Sequence, residues 1–161
     1  MKDCNLTQRF KLNAEAVSAR VIFCPNLKRA FEHTLEACLQ KQPCNPEDNH
    51  KTIAAPDLDP SDLQKIKELC SYWSVNLIHK GLRARLSRLD AGLTRADHGI
   101  AETGTLVMGN KSEDTRLAGM LSEIHINLLA ESQILAHSQD LKDHLRENFT
   151  STPDYSSFIT G

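Results

Sequence analysis

Short runs of apolar and β-branched residues alternate along this chain with longer segments whose apolar positions recur at three- and four-residue steps. That alternation constrains the fold more than any single motif. Strands separated by amphipathic helices imply βαβ crossovers, and so a mainly parallel sheet with helices on both faces. The expected class is α/β, in three layers.

Taken in order, residues 16–23 read as a first strand, stopped by Pro25. Leu27, Ala30, Phe31, Thr34, Leu35, Cys38 and Leu39 then mark the apolar face of a helix whose opposite face carries Lys28, Arg29, Glu32 and Glu36. Residues 43–49, with two prolines, form a polar loop. A short strand at 52–55 follows. Asp59-Pro60 supplies an N-cap and a first-turn proline for a helix that turns Leu63, Ile66 and Leu69 inward. Further expectations are a strand at 75–79, a short helix at 82–89, a small strand at 92–94 and a buried strand at 106–108. Ser112 caps a helix through Arg116 and Leu117, and 124–129 is a strand. Ser138 caps a last helix bearing Leu141, Leu145 and Phe149, and 158–160 begins a final strand.

A length of 161 residues suits one domain able to bury its own core, with residues 1–13 as an N-terminal helix or arm. The formal net charge of −2 gives no electrostatic reason to expect nucleic acid or an anionic membrane as partner. The Lys and Arg residues at 80–88 read as a solvated helix face. No segment reaches the roughly 20 apolar residues that span a bilayer, and the first residues lack the apolar core of a secretion signal. The five cysteines are odd in number and lack a C-x-x-C pair, against a disulfide framework, a structural zinc or an iron–sulfur cluster. A reducing cytoplasm and no bound cofactor are expected. Cys38 and Cys70 fall on apolar helix positions and read as core.

Chemistry concentrates at 98–109, HGIAETGTLVMG. One carboxylate, Glu102, sits in a turn of small and hydroxylated residues that runs into an apolar strand. A turn of this kind is expected to expose backbone N–H groups, two hydroxyls and a negative charge at a sheet end, where open α/β folds gather ligands. Glu102 can serve as a general base if a pocket desolvates it; equally it can bond backbone amides of the turn or pair with a basic residue such as Arg116. Gly104 relieves the backbone or admits a ligand closely. Thr103 and Thr105 can donate to an anion or satisfy the chain. There is no dinucleotide fingerprint, no Walker lysine and no G-x-S-x-G elbow. His98 is a turn histidine beside Asp97, and His125 either a bonded core histidine or a pocket residue. His137 and His144 share a helix face but lack the carboxylates a metal would need, so no metal site is expected.

The segment 96–107, ADHGIAETGTLV, resembles the signature of the lactate-utilization (LUD) domain family, particularly its LutC-type, single-domain members. Arg116-Leu117, the Glu123–Ile126 stretch with its His-Ile pair, and the terminal Ile159-Thr160-Gly161 follow in the family's order. The likeness spans most of the chain and is specific over about 94–161. Two departures stand out. Ser122-Glu123 replaces the proline that members commonly carry before the His-Ile strand, and the chain ends where the family continues with a Pro-Ser-x-Thr-Ala-Asp-Ile-Glu segment, so the domain is expected to lack its C-terminal end.

The resemblance implies a three-layer fold similar to ribose-phosphate isomerases, sugar-phosphate deaminases and CoA transferases. It implies an accessory role with iron–sulfur partner proteins in oxidising L-lactate to pyruvate, without fixing whether this chain is itself catalytic. Carried over by position, the pocket would hold Glu102, Thr103, Gly104, Thr105, Thr160 and Gly161, with a small anionic metabolite as ligand. The competing expectation is a free-standing enzyme or binder of a phosphorylated or CoA-linked metabolite that uses Glu102.

Overall fold

The computed structural model describes residues 3–44, 50–85, 88–110, 112–142 and 155–160. Its elements are α1 (Asp3–Ala16), α2 (Leu27–Gln40), β1 (Thr52–Ala54), α3 (Pro60–Tyr72), β2 (Asn76–Ile78), β3 (Leu89–Arg95), β4 (His98–Ile100), β5 (Thr105–Asn110), α4 (Glu113–Leu121), β6 (Ser122–Leu128), β7 (Ile134–Leu135) and β8 (Tyr155–Ile159). Single 3-10 turns lie at Leu82–Arg85 and Glu131–Gln133. The chain folds as two compact units, one built from 24–95 and 112–128, the other from 1–23, 96–111 and 129–161.

The first unit is the α/β body that the alternation predicts. Its four strands are all parallel, in the order β2-β1-β3-β6. Strand side chains alternate between the faces, and helices cover both. On one face Phe31, Leu35 and Cys38 of α2 and Ile66 and Cys70 of α3 pack against Ile53, Ala91 and Leu93. On the other, Ala118 of α4 and Leu82 pack against Ala54 and Ile78. Cys38 and Cys70 are core residues as expected, and burial pushes their thiols up to about 11 and about 12. Gly92 lets α4 lie directly on β3, since a Cβ there would overlap the Ala118 carbonyl.

Local signals set the helix starts. The Asp59 carboxylate accepts from the Asp62 N–H at 2.9 Å with Pro60 opening α3, and Ser112 accepts from the Thr115 N–H at 3.1 Å at the head of α4.

Asp90, near the start of β3, is buried together with Lys51. Its carboxylate accepts from the N–H of Thr52 at 2.7 Å and of Cys44 at 2.8 Å, and Lys51 Nζ lies 3.4 Å away. Burial alone would raise the Asp90 pKa. The two backbone donors and the ammonium outweigh it and hold the carboxyl below its ordinary range.

The second unit holds a mixed sheet, β7-β4-β5-β8. β4 and β5 form an antiparallel hairpin with Ile100 opposite Thr105, β8 adds antiparallel to β5, and β7 runs parallel to β4. Phe10 and Ala14 of α1 bury against Ala101, with Val21, Leu106, Leu129 and Ile134 around them. A second cluster gathers Ile100, Val107 and Leu141.

Several boundaries differ from the sequence reading. Residues 16–23 are not a strand. Ser18 takes φ 72°, and the N–H groups of Ser18 and Ala19 donate back to the carbonyls of Glu15 and Ala14, which closes α1 in a Schellman-type cap. Of its large apolar residues Val21 packs against the core of the second unit, while Ile22 and Phe23 are exposed. The helix expected at 82–89 is a 3-10 turn in its described part, and Leu89 opens β3, which is a seven-residue strand rather than the short one placed at 92–94. The chain from 140 to 142 is helical, but it is the Asp140 carboxylate, not Ser138, that accepts a hydrogen bond there, from the His137 N–H. Leu145 and Phe149 lie outside the described residues, as do residues 45–49 of the polar loop expected at 43–49. Among the described residues, no helix is long and apolar enough to cross a membrane.

Candidate functional site

The 98–109 segment is the β4–β5 hairpin, and residues 101–104 form its turn. Gly104 has φ +68° and lies so close to the end of α1 that a Cβ would collide with the Ala14 backbone. A side chain fails here twice, on conformation and on space. Asn13 clamps the same turn from α1: its Nδ2 donates to the carbonyls of Ala101 at 2.8 Å and Glu102 at 3.0 Å. At the other end of the hairpin the Asp97 carboxylate accepts from the Gly109 N–H.

The expectation that this turn offers free backbone N–H groups is corrected by the structure. Ala101 N–H donates to the Leu135 carbonyl and Glu102 N–H to that of Ala136, while Thr103 and Gly104 both donate to the Ile100 carbonyl. β7, which the sequence reading did not foresee, and the residue after it take two of these donors. What remains for a ligand is side-chain chemistry. Thr103 Oγ1 donates to Thr105 Oγ1 at 2.8 Å, and Thr105 Oγ1 lies 3.1 Å from Thr160 Oγ1. Thr105 is buried between two exposed partners, so the line of hydroxyls is inside at its middle and reaches the surface at both ends.

Glu102 points to solvent, with 42 % of its side chain exposed. Its partner is His137 Nδ1 at 3.5 Å, itself 52 % exposed. A pair this open contributes at most about 1 kcal/mol to stability. Its interest is chemical, since it places an anionic acceptor and an imidazole side by side on the turn that also carries Thr103.

His125 belongs to the other unit. It lies on β6 opposite Gly92, with Nε2 2.8 Å from Thr94 Oγ1, which in turn donates to Asn127 Oδ1 at 2.7 Å. Its ring packs on Gly119, where a Cβ would come within 2.9 Å of Cε1. Burial lowers its pKa from 6.5. Stability from the neutral ring is therefore complete above pH 6.5, where the unfolded imidazole is also neutral, and is lost as pH falls through that value toward the lower folded one. Urea titrations from pH 8 to pH 5 should show wild type losing stability more steeply than His125→Gln; equal slopes would contradict it.

The structure thus gathers Thr103, Thr105 and Thr160 into one line, Glu102 precedes it in the same turn, and Gly104 shapes that turn. His125 lies in the other unit, and Gly161 lies outside the described residues. His98 opens β4 and is half-buried rather than a free turn residue. Sequence reasoning missed Asn13, since nothing in spacing ties residue 13 to residue 101. It also missed the Glu102–His137 pair, because His137 was weighed only against His144, which lies outside the described residues.

No curated protein matches this sequence. A solved DUF162 family protein from Deinococcus radiodurans has a similar fold, with a TM-score of 0.66 at 17% identity over 99% of this chain and 89% of that one. The LUD domain pattern matches residues 7–161, nearly the whole sequence, with the Glu-Thr-Gly-Thr turn inside it. The chain is therefore a member of the LUD domain family.

Proposed function

We propose that this LUD-domain chain acts in L-lactate oxidation as a LutC-type accessory subunit alongside iron–sulfur proteins, and that its hairpin turn receives a small hydroxylated or anionic metabolite. One observation carries the reading: a single turn presents the Thr103–Thr105–Thr160 hydroxyl line and, at the residue before Thr103, the solvent-open Glu102–His137 pair. A small 2-hydroxy acid has complementary groups. Its hydroxyl can donate to the Glu102 carboxylate, and its carboxylate can accept from a threonine hydroxyl or the imidazole. The redox centres would come from the partners, because Cys38 and Cys70 are sealed in a core that disfavours their thiolates.

A second reading rests on the openness of Glu102, which leaves it free to act as a base on a phosphorylated or CoA-linked metabolite. The spent N–H groups of the turn count against it, since phosphates are commonly cradled by such donors.

Thermal-shift titration separates the two. Lactate or pyruvate should raise the Tm of wild type, and Glu102→Gln should abolish the rise while its own unliganded Tm stays within a few degrees, the side chain being exposed. Shifts given only by sugar phosphates or CoA would favour the second reading. A ligand shift that survives Glu102→Gln would remove this residue from the site.

A further inference from the structure

The hydroxyls of Thr103, Thr105 and Thr160 have a direction, and it follows from counting protons. A threonine hydroxyl has one proton to donate and two lone pairs that accept. Thr103 donates its proton to Thr105 Oγ1 at 2.8 Å. Thr105 must then place its own. The β5–β8 register sets Leu106 opposite Ile159, so the next pair along is Thr105 with Thr160, and their Oγ1 atoms lie 3.1 Å apart. Thr105 is only 7 % exposed, and among the described residues its hydroxyl has no partners besides these two. If it accepted from both, its proton would stay unpaired in the interior, which costs more than a bond gains. The proton of Thr105 therefore goes to Thr160.

Each end of the line is left with one kind of chemistry. Thr160 is exposed, has accepted a bond and keeps a free O–H. Thr103 is exposed too, but it has given its proton and offers lone pairs only. Neither side chain bonds anything else among the described residues. Bonds in such a chain polarise one another, which makes the terminal O–H of Thr160 a stronger donor than an isolated hydroxyl.

We infer that the site holds the carboxylate of its ligand at Thr160 and a ligand hydroxyl at Thr103, and so selects a 2-hydroxy acid over the 2-oxo acid of the same carbon skeleton. The inference rests on the proposed reading of this turn and adds which hydroxyl meets which group. Both acids carry the carboxylate that accepts from Thr160. They differ at C2. The hydroxyl of the hydroxy acid donates to a lone pair of Thr103, whereas a keto oxygen sets lone pair against lone pair. Thr105 touches no ligand. It is a positioning residue, because taking the proton of Thr103 is what leaves Thr103 an acceptor.

The test measures affinities of the full chain for L-lactate and pyruvate by NMR titration, with hydroxyl-proton spectra of the unliganded protein. L-Lactate should bind about tenfold more tightly than pyruvate, the worth of one hydrogen bond. Thr105→Val should fold, since water can serve both exposed partners, and should erase the difference by returning the Thr103 proton to the ligand side. Thr105→Ser keeps the hydroxyl and should restore the selectivity. Thr160→Val should weaken both acids alike, and Thr103→Val lactate alone. Without ligand, the Thr105 hydroxyl proton should exchange slowly with water and that of Thr160 rapidly. Pyruvate binding as tightly as lactate, a folded Thr105→Val that keeps the selectivity, or a slowly exchanging proton on Thr160 would each overturn the inference and leave the reading of the turn standing. Absence of binding by both acids would overturn that reading, and the inference with it.

Discussion

Replacement of Asp90 by alanine is expected to destabilise the parallel-sheet unit by about 3–5 kcal/mol, the range for removing one member of a buried ion pair. Lys51 would be left as an ammonium with 8% of its surface exposed, keeping only the Lys41 carbonyl as acceptor among the described residues. The N–H groups of Thr52 and Cys44 would lose their acceptor as well. A buried donor without a partner costs more than a matched pair gains. Asp90→Asn keeps an oxygen in place and should cost less than alanine, though the ion pair is gone. Urea denaturation with exchange read at the β1 and β3 amides measures both; an alanine variant within 1 kcal/mol of wild type would show that the pair is not a structural centre (the threshold is about the worth of an exposed pair). The pH dependence follows from the carboxyl's lowered pKa. The unfolded carboxyl titrates near 3.8, so the contribution is fully present above that value and is lost as pH falls through it toward the folded one.

Gly104→Ala should be nearly as damaging, roughly 2–5 kcal/mol from a left-handed backbone bearing a Cβ together with overpacking. The added methyl would enter the space of the Ala14 backbone. To relieve it, the turn must move off α1, which breaks the Asn13 bonds to Ala101 and Glu102. The loss should appear in the hairpin unit, as faster exchange across β4 and β5 and earlier proteolysis near residues 101–104. Because Thr103 and Thr105 flank this glycine, ligand shifts should vanish with it even at temperatures where the chain is still folded. A stable Gly104→Ala protein with an intact hairpin would show that the turn tolerates a side chain, and would weaken the assignment of the threonine line to a preformed site.

The sequence carried the parallel body clearly because its signals are local. The 3.6-residue spacing of Phe31, Leu35 and Cys38 faces one strip of α2 toward the sheet, and all three are fully buried. Asp59-Pro60 and Ser112 start their helices where side-chain chemistry says they must. The hairpin unit was harder to read. β7 is two residues long and β4 three, too short for any period to show. Residues 16–23 have the composition of a strand, yet no neighbour in the mixed sheet has an edge assigned to them, and the cap at Ser18 turns them to another use.

The candidate site divides the same way. Glu102, the two threonines and the glycine between them are contiguous, so composition alone exposes them as a turn with unusual chemistry. Thr160 joins them only because β8 pairs with β5 in a register that sets Ile159 opposite Leu106. His137 joins because β7 runs beside β4 and carries the chain on past Ala136 to the carboxylate. Asn13 reaches the turn from a helix at the far end of the sequence.

Helix faces, caps and the α/β alternation were determined by the sequence itself, because each depends on residues within one or two turns of each other. Strand pairing, the division into two units, the consumption of the turn's N–H groups and the meeting of Glu102 with His137 were decided by the tertiary structure. Each of these depends on which distant backbone supplies a hydrogen-bond partner, and no local pattern of residues encodes that choice.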